Sequence, residues 1–176
     1  MYNVKIENTG RYLPDNIVTN EDISKIVDTN DKWIRERTGI KERRISKGEN
    51  TSHMAIKSAK DVLRKSSIKA DELDLIIVAT CTPDCFVPST ACIVQDAIGA
   101  TKATCFDISA ACTGFMYALS VASQFIKSGQ SKNALVIGAE TLSKMINWED
   151  RGTCVLFADG AGAAILTRSE ELGLIS

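Results

Sequence analysis

One stretch concentrates the chemistry in this sequence: Asp107-Ile108-Ser109-Ala110-Ala111-Cys112-Thr113-Gly114-Phe115. A β-leaning run, Thr104 to Ile108, ends at three small residues and then a cysteine. A long helical pattern follows from Thr113 to Lys127, closed by Ser128-Gly129. Cys112 is thus predicted where a strand turns sharply into a helix. Small residues on both sides let a substrate or another backbone come close. The first turn of a helix presents unpaired N–H groups and about half a positive charge. That field favours thiolate over thiol, and the thiolate is the nucleophile. Position alone leaves a second reading open, in which Cys112 is a small buried hydrophobe, the commoner state of a cysteine.

The other reactive side chains form no competing constellation. Of the six cysteines, Cys81, Cys92, Cys105 and Cys154 lie in apolar segments without the spacing of a disulfide framework. A chain kept in the cytosol holds its thiols reduced. Cys81 and Cys85 are spaced C-x3-C, but there is no second pair and the single histidine is His53. A zinc site takes about four ligands, so no metal is expected. His53 falls in the first turn of a helix, off its apolar stripe, and reads as a surface residue. Trp33 and Arg37 are spaced i, i+4 on one helix face. Taken alone, Trp33 reads as a core anchor and Arg37 as a solvated charge.

The elements that would position these residues follow from pattern. Residues 3–9 read as a strand, and Thr19 caps a short helix. A further short helix, Asp31 to Thr38, stops at Gly39. Thr51-Ser52 open a helix to about Ser66, with Ala55, Ala59, Val62 and Leu63 as its stripe. Leu75 to Thr80 and Leu135 to Gly138 are continuous apolar runs, the mark of strands buried on both faces. Ser89 to Ile98 is a helix behind Pro88. Thr153 to Ala158 and Ala161 to Thr167 read as two strands joined by a tight turn at Asp159-Gly160. The helix after Cys112 is apolar nearly all round, which predicts burial between two sheets. The order β-α-β-α-β-α-β-β gives an α/β fold: a mostly parallel five-stranded sheet with an antiparallel edge strand.

Bulk composition excludes several classes. The 176 residues are 44% hydrophobic and 24% charged, a globular composition. A formal net charge of −1 argues against nucleic acid or a membrane surface as partner. No apolar run reaches the ~20 residues of a spanning helix. The N-terminus enters a strand pattern directly, without a signal-peptide layout, which points to a cytoplasmic protein.

The chain resembles the first half of a β-ketoacyl-acyl-carrier-protein synthase III, a condensing enzyme of the thiolase fold. Four motifs in order carry the resemblance, which spans Val4 to Ser176. They are Trp33-Ile34-x-x-Arg37-Thr38-Gly39-Ile40, Asp107 to Phe115, Asp150-Arg151-Gly152-Thr153, and Phe157-Ala158-Asp159-Gly160-Ala161-Gly162-Ala163. The resemblance implies residues 1–176 as the N-terminal, thiolase-like domain of a layered α-β-α-β-α fold. It implies a homodimeric enzyme that starts fatty-acid synthesis. Cys112 would take an acyl group from acyl-coenzyme A and pass it to the carbanion of malonyl-acyl-carrier protein. No tightly bound cofactor is implied; the coenzyme A thioester is a substrate.

Position by position, Trp33 and Arg151 match the pair that sandwiches the adenine, and Arg37 a residue near the nucleotide phosphates. Leu142, Leu156 and Phe157 match acyl-pocket positions, although each is also an ordinary core residue type. Val87 stands where some members carry a bulky aromatic, which would suit longer or branched acyl groups. The family's carbanion-stabilising histidine and asparagine fall in the second half, and His53 does not match. A fragment, or a chain completed by a partner, is therefore expected, unable alone to decarboxylate malonyl-acyl-carrier protein. Two other readings stand beside this one. They are another acyl-CoA-primed condensing enzyme, such as a hydroxymethylglutaryl-CoA synthase, and a non-catalytic thiolase-like interaction domain.

Overall fold

Two uninterrupted apolar runs form the middle of a sheet. β4 (Leu75–Ala79) and β6 (Asn133–Thr141) pair in parallel, Leu75 opposite Ala134 and Ala79 opposite Gly138. In the computed structural model, which describes residues 1–174, every side chain of β4 is buried. Leu75, Ile77 and Ala79 face one helix layer, Ile76 and Val78 the other. Burial on both faces is why the run does not alternate. β5 (Thr104–Ile108) joins β4 in parallel. β7 (Asp159–Ser169) and β1 (Asn3–Tyr12) complete the order β1-β7-β6-β4-β5. Ile175 and Ser176, the end of the expected 1–176 domain, lie outside the described residues.

The α/β layering and the mostly parallel five-stranded sheet match the sequence expectation; two details of the strands differ. The reversed strand, β7, is not at the edge. It runs antiparallel to both β1 and β6, between them. Its Ala161, Ala163, Ala164, Ile165 and Leu166 are all buried, as an interior strand requires. Hydrophobic pattern specifies which faces are buried, not which strands are neighbours. The second correction concerns Thr153 to Ala158, which is neither strand nor half of a hairpin. The Asp150 side chain accepts the Gly152 N–H at 2.9 Å and the Thr153 hydroxyl at 2.7 Å. This cap starts α6 (Arg151–Cys154). Cys154 and Val155 are then buried away from the sheet, against Ile23 and Ile34. Asp159-Gly160 is the beginning of β7 and not a turn.

Helices cover both faces. α3 (Thr51–Lys65) and α4 (Thr90–Ile98) share one core with Ile76, Val78, Leu135, Ile137 and Ile165. α3 is preceded by Asn50 as N-cap, and Thr51 is buried in its first turn rather than capping it. α5 (Gly114–Lys127) packs Ala118, Ala122 and Ile126 on the other face. Its outer side leaves Met116 63% and Tyr117 55% exposed, and no second sheet covers it among the described residues. A smaller lobe holds the ribbon β2 (Ile17–Thr19) and β3 (Glu42–Arg44), with α1 (Asn20–Ser24), α2 (Asp31–Thr38) and α6 around Ile23 and Ile34. Among the described residues no helix is long and apolar enough to cross a membrane.

β1 lies so close to α3 that Gly10 has no room for a side chain. A Cβ there would stand 2.7 Å from the Ser58 carbonyl oxygen and 2.8 Å from the Val62 Cβ. Gly10→Ala is expected to cost about 2 kcal/mol or more, because helix backbone rather than a flexible side chain must yield. Urea denaturation with an unchanged m-value measures it, and a change below about 0.5 kcal/mol would contradict the packing.

Candidate active site

The strand-to-helix turn after β5 is sharp. Ala110 leaves the extended region, and Ala111 has φ +47°, left-handed backbone that residues with a Cβ rarely adopt. Such conformations are held by their surroundings and gather at functional sites. A single 3-10 turn, Ala111–Thr113, separates this kink from α5. Cys112 lies in that turn and is exposed. Among the described residues no backbone carbonyl accepts the Cys112 N–H. The buried-hydrophobe alternative therefore does not describe Cys112. It does describe Cys154, which is buried and whose thiol burial pushes up; Cys105 is half-buried against the core, and burial pushes its thiol up to about 12.

Cys112 borders a cavity of about 370 Å³ at the C-terminal ends of the parallel strands. Ala79 of β4, Gly138-Ala139-Glu140 of β6 and Gly160-Ala161-Gly162 of β7 form its walls, with Leu13, Ala111 and Phe115. The carboxyl ends of parallel strands are where α/β sheets hold ligands. Small residues keep the space open; a Cβ on Gly138 would stand 3.3 Å from the Phe115 ring. Sequence pattern alone does not mark Leu13, Ala79 and Gly138-Ala139-Glu140 as wall residues; their signal is the small residues at strand ends.

Two carboxylates fix the cavity's frame. Asp107 accepts the backbone N–H groups of Thr90 and Ala91 at 2.7 and 2.8 Å, tying the start of α4 to β5. Glu140 accepts the Cys81 N–H at 2.8 Å and the Thr82 hydroxyl at 2.5 Å, fixing the loop after β4. Thr82 in turn accepts the Thr141 N–H. Cys81 Sγ stands 3.6 Å from Ser109 Oγ.

A second group is assembled by α2 and α6. Asn30 accepts the Trp33 N–H at 2.8 Å and starts α2; Gly39, at φ +73°, ends it. Arg37, one turn on, places its guanidinium carbon 4.3 Å from the centre of the Trp33 ring. Arg151, first residue of α6, places its own 4.8 Å from that centre and donates to the Asp28 carbonyl at 3.1 Å. Trp33, Arg37 and Arg151 are thus brought together as an aromatic ring with two cations, a surface suited to a flat, anionic ligand.

The remaining candidates are more scattered. Val87 is 86% exposed in the loop before Pro88, and Leu156 is 49% exposed just after α6. Leu142 and Phe157 are half-buried. None of Val87, Leu142, Leu156 and Phe157 lines the cavity at Cys112. His53 is exposed and meets the Tyr12 ring edge-on at 6.0 Å, outside that cavity. Among the described residues no cluster of metal-ligating side chains occurs.

A family model for 3-oxoacyl-[acyl-carrier-protein] synthase III matches residues 106–176, from the Cys112 turn through β7. The β-ketoacyl-[acyl-carrier-protein] synthase III of Clostridium novyi is 98% identical over 176 residues, all of this chain and 54% of that protein. The chain is thus similar, over its whole length, to about half of a synthase III. The synthase III of Clostridium acetobutylicum is 61% identical over 99% of this chain and 54% of its own. Among solved structures, the synthase III of Aquifex aeolicus superposes with a TM-score of 0.93 at 60% identity, over 96% of this chain and 55% of that one. The priming β-ketosynthase of the R1128 polyketide pathway gives 0.95 at 34% identity, over 98% and 52%. The chain spans about half the length of the curated relatives it matches.

Proposed function

We propose that Cys112 is the acyl acceptor of a synthase III reaction and that this chain binds the acyl-coenzyme A donor. The observation that carries the reading is an exposed cysteine on a strained turn, opening onto a cavity walled by glycine and alanine. The Cys112 thiolate attacks the thioester carbonyl. The tetrahedral oxyanion is held by backbone donors, of which the Cys112 N–H, without a carbonyl partner among the described residues, is one. Collapse expels coenzyme A as its thiolate and leaves the acyl group on Cys112. Trp33 stacks on the adenine once Arg151, which lies over the ring at 4.8 Å, swings to the far side of the base, and Arg37 meets the phosphates. Val87, Leu142, Leu156 and Phe157 are assigned to the acyl chain on resemblance, with the small Val87 favouring longer or branched groups.

In the second half-reaction the carbanion from malonyl-acyl-carrier protein attacks the acyl-thioester, forming the 3-oxoacyl product that initiates fatty-acid synthesis. That step calls for groups to stabilise the carbanion, and His53 is not placed to do so. Residues 1–176 act as one thiolase-like domain in a cytoplasmic, homodimeric enzyme with no resident cofactor.

Saturation kinetics of protein acylation by labelled acetyl-CoA test the donor site. Trp33→Ala is expected to raise the half-saturating concentration about tenfold, the worth of one base–aromatic stack, with the maximal rate unchanged. Unchanged half-saturation would remove Trp33 from the donor site.

A further inference from the structure

Arg43 is only 4% exposed, yet no carboxylate pairs with it among the described residues. Its partners are neutral. Nη1 donates to the Val18 carbonyl at 3.2 Å, and Nη2 donates to Asn20 Oδ1 at 2.8 Å and to the Val155 carbonyl at 3.1 Å. Nε has no partner. A buried, uncompensated cation is costly, and a stable core would be reached more cheaply with an apolar side chain. What the guanidinium supplies is a rigid fork that reaches three acceptors on separate segments at once.

Those acceptors lead to the Trp33 group from both sides. Val155 is the C-cap of α6, which begins with Arg151. Asn20, 1% exposed, donates from Nδ2 to Asp31 Oδ1 and to the Ile40 carbonyl, each at 2.8 Å. Asp31 is the first residue of α2, and Ile40 lies just past its end. One buried node therefore holds both ends of the helix carrying Trp33 and Arg37, and the end of the helix carrying Arg151. The Arg43–Val155 bond joins segments 112 residues apart in sequence. The direct bond from Arg151 to the Asp28 carbonyl is exposed and open to competition from water.

We propose that Arg43 and Asn20 are positioning residues that set the spacing between Trp33 and Arg151, and so the fit of the coenzyme A nucleotide. Neither residue touches the ligand. The inference rests on the assignment of Trp33, Arg37 and Arg151 to the donor nucleotide.

The test compares acylation of Cys112 by two donors, acetyl-CoA and S-acetyl-N-acetylcysteamine, which lacks the nucleotide. The variants are Arg43→Lys, which keeps the charge and loses the fork, and Asn20→Asp, which turns the Nδ2 donor into a carboxylate facing Asp31. Trp33→Ala serves as reference. Each positioning variant is expected to lower the preference for acetyl-CoA about tenfold, the worth of hydrogen bonds to a charged group. The rate with the nucleotide-free donor should stay within about twofold of the parent, since additivity holds for sites that share no partner.

If Trp33→Ala leaves the preference intact, the nucleotide assignment fails. If Trp33→Ala lowers it while folded Arg43→Lys and Asn20→Asp do not, the positioning proposal alone fails. Circular dichroism melting separates loss of fold from loss of fit. If one variant does not fold, the other decides. If both unfold, the node is a folding determinant and the proposal is overturned.

Discussion

Cys112→Ala is expected to reduce acyl uptake from acetyl-CoA by at least about 10³-fold, the scale on which removing a covalent nucleophile acts. The variant should fold as the parent does, because Cys112 is exposed and its side chain is not part of either sheet-facing core. A surface change of this kind moves stability by about 0.5 kcal/mol or less. Loss of labelled acetyl with an unchanged melting curve is the predicted pair of results. Cys85→Ala is the control: Cys85 is also exposed, but its thiol donates to the Pro88 carbonyl at 3.5 Å, outside the cavity. Its uptake should match the parent. Uptake that survives in Cys112→Ala and falls in Cys85→Ala would move the acceptor to the loop after β4.

Asp159→Asn is expected to lower the unfolding free energy by about 3 kcal/mol, with Asp159→Ala at least as severe. The carboxylate is 4% exposed at the start of β7. Oδ1 accepts the Ser143 N–H at 2.9 Å. Oδ2 accepts the Ser46 N–H at 2.7 Å and the Ser143 hydroxyl at 2.6 Å. It thus ties three segments together: the loop after β3, the turn after β6, and β7. Asparagine has the same shape but one acceptor oxygen. Whichever way the amide sits, an NH2 group faces an N–H donor, leaving buried polar groups unpaired. Urea titration measures the loss. A change below about 1 kcal/mol would mean that these bonds contribute little net stability.

Asp159 also marks the limit of what sequence could reveal. Asp-Gly between two apolar runs is a strong local signal for a hairpin turn. Here the aspartate's acceptors are filled by Ser46 and Ser143, partners distant in sequence, and the dipeptide continues into a strand. Local turn chemistry gave way to tertiary hydrogen bonding. Thr153 to Ala158 failed for a related reason, since a short apolar run carries no period and Asp150 supplied a helix cap. The interior place of β7 was equally hidden, because strand order is a long-range property.

What could be read from the residues was local and periodic. The runs at Leu75 and Leu135 sit on both faces of the sheet as their lack of alternation implied. Gly39 ends α2 in the left-handed conformation expected of a helix stop. The small residues before Cys112 do make a tight turn, though through left-handed Ala111 and a 3-10 turn rather than the first turn of α5 itself. The meeting of Trp33 with Arg151 could not come from spacing. It depends on packing between α2 and α6 around Ile34 and Val155. Arg43 gave no sequence signal at all, as one of several arginines in a charged stretch whose burial only the fold decides.

Single-turnover reaction with labelled acetyl-CoA, followed by peptide mapping of all six cysteines, reads the acceptor directly. One acetyl group per chain is expected, on Cys112, with label released from coenzyme A at the same rate. Label on Cys81 or Cys85, or a folded chain that takes up none, would contradict it.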